Sequence, residues 1–276
     1  MFRRILNDSF SLVFGNLETV FKVCGAWFVL QFVLLLVLQV ILGSPPDDLA
    51  VTAGQPVQVS PAQMLAAFLV VIVAIVASAS IAVAWHRFGL LGEQPGLIHL
   101  RVGAIEGRFI LKMFLIGLIT IAIFLPLELF VSLFGTMLDI LIGVPVVTVV
   151  SFLVLSAFII PHIVQLYLSL PAVAIERPIG LKEAHKLGQG LGWPMIGAGV
   201  VLVLPFVLVA LGLQYLSQMV AGGGLLALLI AIKLALLNVL LQIILTVLSI
   251  SVISAAYRIA LERQHANFGE TPSNPD

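Results

Sequence analysis

Charge is what this sequence has least of. Asp, Glu, Lys and Arg make up 9% of its 276 residues, where a water-soluble domain carries about 25%. With 61% hydrophobic residues and a mean hydropathy of +1.22, a soluble fold of this size could not cover its apolar surface. Cysteine is nearly absent. Cys24 stands alone, which excludes an intrachain disulfide and leaves a small apolar packing residue. The usual signatures of catalysis are missing too: there is no P-loop, HExxH, GxSxG or zinc-type Cys/His spacing. The run Gly188-Gln189-Gly190-Leu191-Gly192 is glycine-rich but follows no strand, so it is not expected to cradle a phosphate. Nothing beyond scattered cations suggests nucleic acid. No cofactor or metal is expected, and the chain does not read as an enzyme. Met1-Phe2-Arg3-Arg4 is basic, but Asn7, Asp8 and Glu18 follow before the first long apolar run, so no cleavable signal peptide is expected.

What is present is a series of runs long enough to cross a bilayer, which takes about 20 apolar residues. They predict an all-α integral membrane protein with six transmembrane helices, at about 21–42, 62–86, 109–134, 146–170, 193–216 and 225–257. Together they form one six-helix domain over 1–265, with a disordered cytoplasmic tail over 266–276. Gly222-Gly223-Gly224 splits the uncharged stretch from Leu187 to Ile232 into the fifth and sixth spans. A turn is expected around Gly135, Asp139, Gly143 and Pro145, with a re-entrant segment near Asp139 as the alternative. Of the 13 Lys and Arg residues, all except Lys233 precede or open the first span, lie between the second and third spans or at the start of the third, lie between the fourth and fifth, or follow the sixth. The positive-inside bias then places both termini in the cytoplasm, with the chain in a bacterial plasma membrane. Trp85 and Trp193 are expected at the inner interface.

The spans read as three hairpins, each introduced by an amphipathic helix on the inner membrane surface. One such helix is expected at about 2–20, with Phe2, Leu6, Phe10, Val13, Leu17 and Phe21 at helical spacing. A second is expected from Ile98 to Phe109, and a weaker one from Gly180 to Gly190. The exits from the even-numbered spans resemble one another, with Glu93, Glu176 and Glu262 at comparable places. This suggests a threefold repeat of surface helix plus hairpin. Arg101, Arg108, Lys182 and Lys186 are the candidate lipid-headgroup contacts. Ala74, Ser78 and Ala82, with Ala67, Ala77 and Ala84 nearby, define a small-residue face that nominates the second span as the central helix. Pro126 and Pro205 are expected to kink the third and fifth spans. Gln31, Gln214 and Gln242 are expected to be buried between helices.

Leu168-Ser169-Leu170-Pro171-Ala172-Val173-Ala174-Ile175-Glu176, then Gly180-Leu181-Lys182-Glu183-Ala184, then Gly190 and Trp193, resemble a pattern in the membrane domain attached to some glycerophosphodiester phosphodiesterases. Uncharacterised bacterial six-helix inner-membrane proteins share that pattern. The resemblance covers about thirty residues. It implies the six-helix topology and no catalysis, because the family's chemistry belongs to a separate soluble barrel.

Ionisable groups inside a bilayer cost at least roughly 2.5–3.5 kcal/mol near its centre, so each raises a functional question. Glu128, Lys233 and His162 are the intramembrane polar candidates. Glu128 and Lys233 fall at compatible depths and are expected to pair or share a water-filled pocket. His162 or Gln165 is expected to satisfy the backbone group freed by Pro161. The leading function is a non-enzymatic scaffold, assembly or regulatory module. Its expected partners are membrane lipids and another protein or a second copy of the chain. The rival is a small-solute or ion transporter or channel using Glu128, Lys233 and His162. A membrane-embedded lipid enzyme is the weaker third, with Glu93, Glu106, Glu176, His86, His99 and His185 near the headgroups.

Overall fold

The computed structural model describes residues 1–42, 60–96, 99–142, 147–219 and 225–268. Among them there is no strand. The helices are α1 (Phe2–Phe14), α2 (Leu17–Leu42), α3 (Pro61–Leu91), α4 (Ala104–Ile142), α5 (Val147–Leu166), α6 (Ser169–Ala174), α7 (Leu181–Leu187), α8 (Gly192–Met219) and α9 (Leu225–Phe268). Six are long and apolar enough to cross a membrane: α2, α3, α4, α5 with its continuation α6, α8 and α9. This is a multi-pass membrane protein. Helices are the natural result, because each backbone N–H and C=O must find its partner within the segment where water is excluded.

Local chemistry marks the ends. Ser60 begins α3 with a capping box: its hydroxyl accepts from the Gln63 N–H at 3.2 Å, and the Gln63 side chain accepts from the Ser60 N–H at 2.9 Å. Pro61 follows at the first helical position, and Gly92 closes the helix at φ 71°. The three hairpins, α2–α3, α4–α5 and α8–α9, each pack along their length. The α4–α5 hairpin approaches closely at Gly135, where a Cβ would lie 2.9 Å from Thr148 Cα.

Several expectations shift. The third span does not turn at Gly135–Asp139. α4 runs unbroken through both residues and through Pro126, and the Asp139 carboxylate accepts from the N–H and hydroxyl of Thr148, in the first turn of α5. No re-entrant segment exists there. At 39 and 44 residues, α4 and α9 are about 58 and 66 Å long at 1.5 Å per residue. Both outrun the roughly 30 Å hydrocarbon layer. α9 remains helical through Phe268, into the expected tail; residues 269–276 lie outside the described residues, as do Gly143 to Val146 and Gly222 to Gly224 of the expected turns. α4 begins only at Ala104, so 99–103 is not a surface helix, and Ile98 lies outside the described residues.

α1 does not lie alone on a membrane surface. Ile5, Ser9 and Val13 are buried, and the helix packs along α9 and α8. Arg4 meets Glu262 at 2.7 Å, while Leu12 lines a cavity with Ser254 and Ala255. α1 therefore runs antiparallel to the end of α9. The stripe formed by Phe2, Phe10, Leu17 and Phe21 is the exposed one. Both stripes share one helical spacing, so periodicity alone could not choose between them.

The core gathers at the end of the bundle that carries the cations, here called the basic end. Its main cluster joins Ile5, Val13, Val20, Cys24, Trp85, Leu168, Ala184, Leu191, Val247 and Ala256. Burial covers 39% of the α3 window and 33% of the α9 window, against 11% in α4 and α8, so α3 and α9 are the central pair. The structure splits the small residues expected to share one face of α3. Ser78 is exposed and Ala74 half-buried, whereas Ala77, Ala79, Ala82 and Ala84 are buried. Trp85 is fully buried and belongs to this core rather than to an interfacial belt, while Trp193 is 59% exposed.

Candidate functional site

The densest polar network lies where α3 leaves the bundle. Trp85 Nε1 donates to Ser251 Oγ at 2.7 Å, and Ser251 passes its own proton to the Val247 carbonyl. His86 Nδ1 lies 2.8 Å from Ser254 Oγ, and Ser254 donates to the Ile250 carbonyl. His86 and Ser254 are hydrogen-bonded to one another, with the donor set by the imidazole tautomer. Two neighbouring rings on α3 thus engage two hydroxyls one turn apart on α9. This is how a dry core tolerates polar atoms.

Arg87 is the hub beside them. Its Nε donates to Glu93 Oε2 at 2.6 Å, and its Nη1 donates to Glu176 Oε1 at 2.9 Å and to the Ala174 carbonyl at 3.1 Å. One guanidinium therefore joins the exit of α3 to the exit of α6. Glu176 sits at φ 59°, a left-handed conformation normally given to glycine. It closes a Schellman motif, with the Arg177 N–H donating to the Ala172 carbonyl at 2.8 Å and the Glu176 N–H to the Val173 carbonyl at 3.1 Å. A carboxylate held in a conformation costing roughly 1–2 kcal/mol is compensated by the ion pair it makes there. The third exit differs: Glu262 stays inside α9 and pairs with Arg4.

Other cations at this end serve backbone carbonyls. Lys112 reaches Ile179 O at 3.1 Å, Arg263 reaches Gln189 O at 3.1 Å, and Arg258 binds Gly89 O. Such carbonyls lack a helical partner, so these charges are structural as well as topological. Of the expected headgroup contacts, Arg108 donates from Nε to the Ala104 carbonyl of its own helix at 3.3 Å. Arg101, Arg108, Lys182 and Lys186 are exposed and form no ion pair among the described residues. Lys186 shares a groove of about 410 Å³ with Tyr257, Arg263 and Gln264.

Beside Arg87 is a cavity of about 30 Å³, lined by Arg87, Glu93, His99, Arg101 and Glu106, about the space of one water. Glu106 is 2% exposed, and His99 Nε2 is buried without a hydrogen-bond partner. Burial pushes the His99 imidazole below its ordinary value; the Glu106 carboxylate opposes this and Arg101 reinforces it. A lowered folded-state value means that the unfolded chain protonates first. The stability His99 contributes is therefore complete above its unfolded value of 6.5, and falls as pH drops through it until the folded value is passed. Melting temperature in detergent should decline from pH 7 toward pH 5, and less steeply in His99→Gln. Equal slopes would remove His99 from the cause.

Glu128, Lys233 and His162 are not brought together. They stand on α4, α9 and α5, all exposed, and no ion pair joins Glu128 to Lys233 among the described residues. α4 and α9 have no substantial interface, which is the physical reason the expected pair does not form. The His162 ring instead lies 5.4 Å from the His185 ring on α7. Gln165 is buried, and its acceptor Oε1 has no hydrogen-bond partner. The Pro161 carbonyl itself faces the start of α8, where a Cβ on Gly192 would lie 2.5 Å from it.

Sequence reading missed a groove between α2 and α9. It is lined by Phe28, Gln31, Phe32, Ala235, Asn238, Val239 and Gln242 and has a volume of about 340 Å³. Gln31 is half-buried, and Asn238, Gln242 and Ser249 form an exposed stripe on α9. Gln242 and Gln214 are both exposed, not buried between helices as expected. The i, i+4 spacing of Asn238 and Gln242 was the available signal, but their common face is visible only against α2. No family model, no curated protein and no solved structure matches the chain.

Proposed function

We propose that the chain is a non-enzymatic scaffold or assembly module whose membrane-depth surface receives a helix of another membrane protein. The carrying observation is the amide groove: Gln31, Asn238 and Gln242 face it, and no hydrogen bond links these side chains to other described residues. An amide in hydrocarbon seeks a partner, and an interhelical hydrogen bond contributes about 0.6–2 kcal/mol. The sparse burial of α4 and α8 leaves further surface for the same purpose. Positive-inside asymmetry supports a cytoplasmic basic end in a bacterial plasma membrane.

The residues that resemble the phosphodiesterase-linked membrane domains fit a structural role. Leu168, Ser169, Ala172, Ala174 and Ala184 are fully buried, so the shared residues build packing rather than a reactive surface. A photocrosslinker at Asn238 in native membranes should yield a protein adduct. At Leu236, also exposed and about 200° around the helix, it should yield mostly lipid. Lipid adducts alone from Asn238 would rule the reading out.

A further inference from the structure

A second cavity, of about 210 Å³, lies between α1 and α9 and is lined by Asp8, Ser11, Leu12, Asn16, Ser254, Ala255 and Arg258. The register of the two helices makes it unusual. Counting four residues inward from the Arg4–Glu262 pair sets Asp8 opposite Arg258, and four more set Leu12 opposite Ser254. Opposite charges therefore face one another across the cavity, yet they form no ion pair with each other. Arg258 turns one nitrogen to the Gly89 carbonyl, and Asp8 has only Arg4, at 3.9 Å. The space between them is several times the roughly 30 Å³ of one water.

We propose that this cavity binds a phosphate ester bearing a primary ammonium, as in the headgroup of an ethanolamine phospholipid. The remaining Arg258 donors hold the phosphate in a planar fork. The Asp8 carboxylate holds the ammonium, aided by Asn16 Oδ1, which is free because Nδ2 is the atom that donates to Leu12 O at 2.9 Å. One acid and one base select a zwitterion over an anionic headgroup. The lining contains no aromatic ring, so a quaternary ammonium lacks both a hydrogen bond and the π-face it prefers. The level is that of a headgroup, at the end of α3 where the apolar run gives way to Arg87 and Glu93. The inference does not depend on the membrane-helix partner proposed above.

The test uses the purified full chain in detergent, titrated with ethanolamine, choline and glycerol phospholipids of identical acyl chains. Native mass spectrometry reads retention. The ethanolamine lipid should bind about tenfold more tightly than the choline lipid. Asp8→Asn should reduce that ratio below about twofold and strengthen binding of the anionic glycerol lipid, which the carboxylate repels. Arg258→Gln should weaken all three. Soluble phosphoethanolamine is the parallel arm: competition at equal concentration would assign the site to the free compound, and its failure to compete assigns it to the lipid. Equal retention of ethanolamine and choline lipids by the unmodified protein would overturn the proposal without recourse to any variant.

Discussion

Replacing Trp85 with alanine should destabilise the protein by about 3–5 kcal/mol, the usual cost of truncating a large buried aromatic. Trp85 is among the largest fully buried side chains, and its ring packs on Phe88 with centroids 5.3 Å apart. It sits in the cluster that joins α1, α2, α3, α8 and α9, so the cavity would open where most helices meet. Its indole N–H would also leave Ser251 without that donor. Trp85→Phe separates the two effects. It keeps most of the volume and loses one hydrogen bond, worth about 1 kcal/mol. Thermal unfolding in a mild detergent, followed by loss of monodisperse protein, reads both. A Trp85→Ala protein that melts with the parent would contradict a core at the basic end.

Arg87→Gln should cost about 2–3 kcal/mol, as expected for losing hydrogen bonds between charged groups. The cost lies below that of a fully buried pair because Glu93 and Glu176 are 45% and 52% exposed as side chains. The loss should concentrate at the α6 exit, since Glu176 then keeps its left-handed backbone without the ion pair that compensates it. Proteolysis near Arg177 should accelerate in Arg87→Gln more than in a variant of equal melting temperature elsewhere. Glu176→Gly in the Arg87→Gln background should recover part of the stability, because glycine removes the strain. If Glu176→Gly adds nothing there, the strain argument is wrong. Arg87→Lys should fall between the parent and Arg87→Gln, because an ammonium keeps the charge but cannot span three acceptors in one plane.

The rest of the fold divides by the range of the forces involved. Hydropathy acts on each segment alone, so 20-residue apolar runs predict six spans whatever their neighbours do. Short links between spans make hairpins, and both appear in the structure. Phase is different. The exposed Phe2–Phe10 stripe and the buried Ile5–Ser9–Val13 stripe of α1 lie on one helix. Which one turns inward depends on α8 and α9, the latter 258 residues away at the Arg4–Glu262 contact. On α3 the same holds: Ser78 is exposed while Ala77, one position earlier, is buried. In a membrane both faces of a helix are apolar, so the contrast that reveals the inner face of a soluble helix is missing.

The candidate sites follow the same division. Glu128 and Lys233 were conspicuous as charges among apolar residues, yet they stand on helices that do not pack together. Arg87 looked like one more cation at a loop, and Glu176 and Glu93 like carboxylates available for chemistry. Their common hub depends on 87 and 176 meeting in space, which no local pattern encodes. The membrane character, the number of crossings and the segregation of cations to one end were determined by the sequence itself, because burial in lipid is a property each segment carries alone. Tertiary structure alone decided that α1 joins the core, that Arg87 fastens two exits, and that Asp8 faces Arg258 across a cavity. Those features arise from contacts between distant segments, where geometry selects among side chains of equal chemical promise.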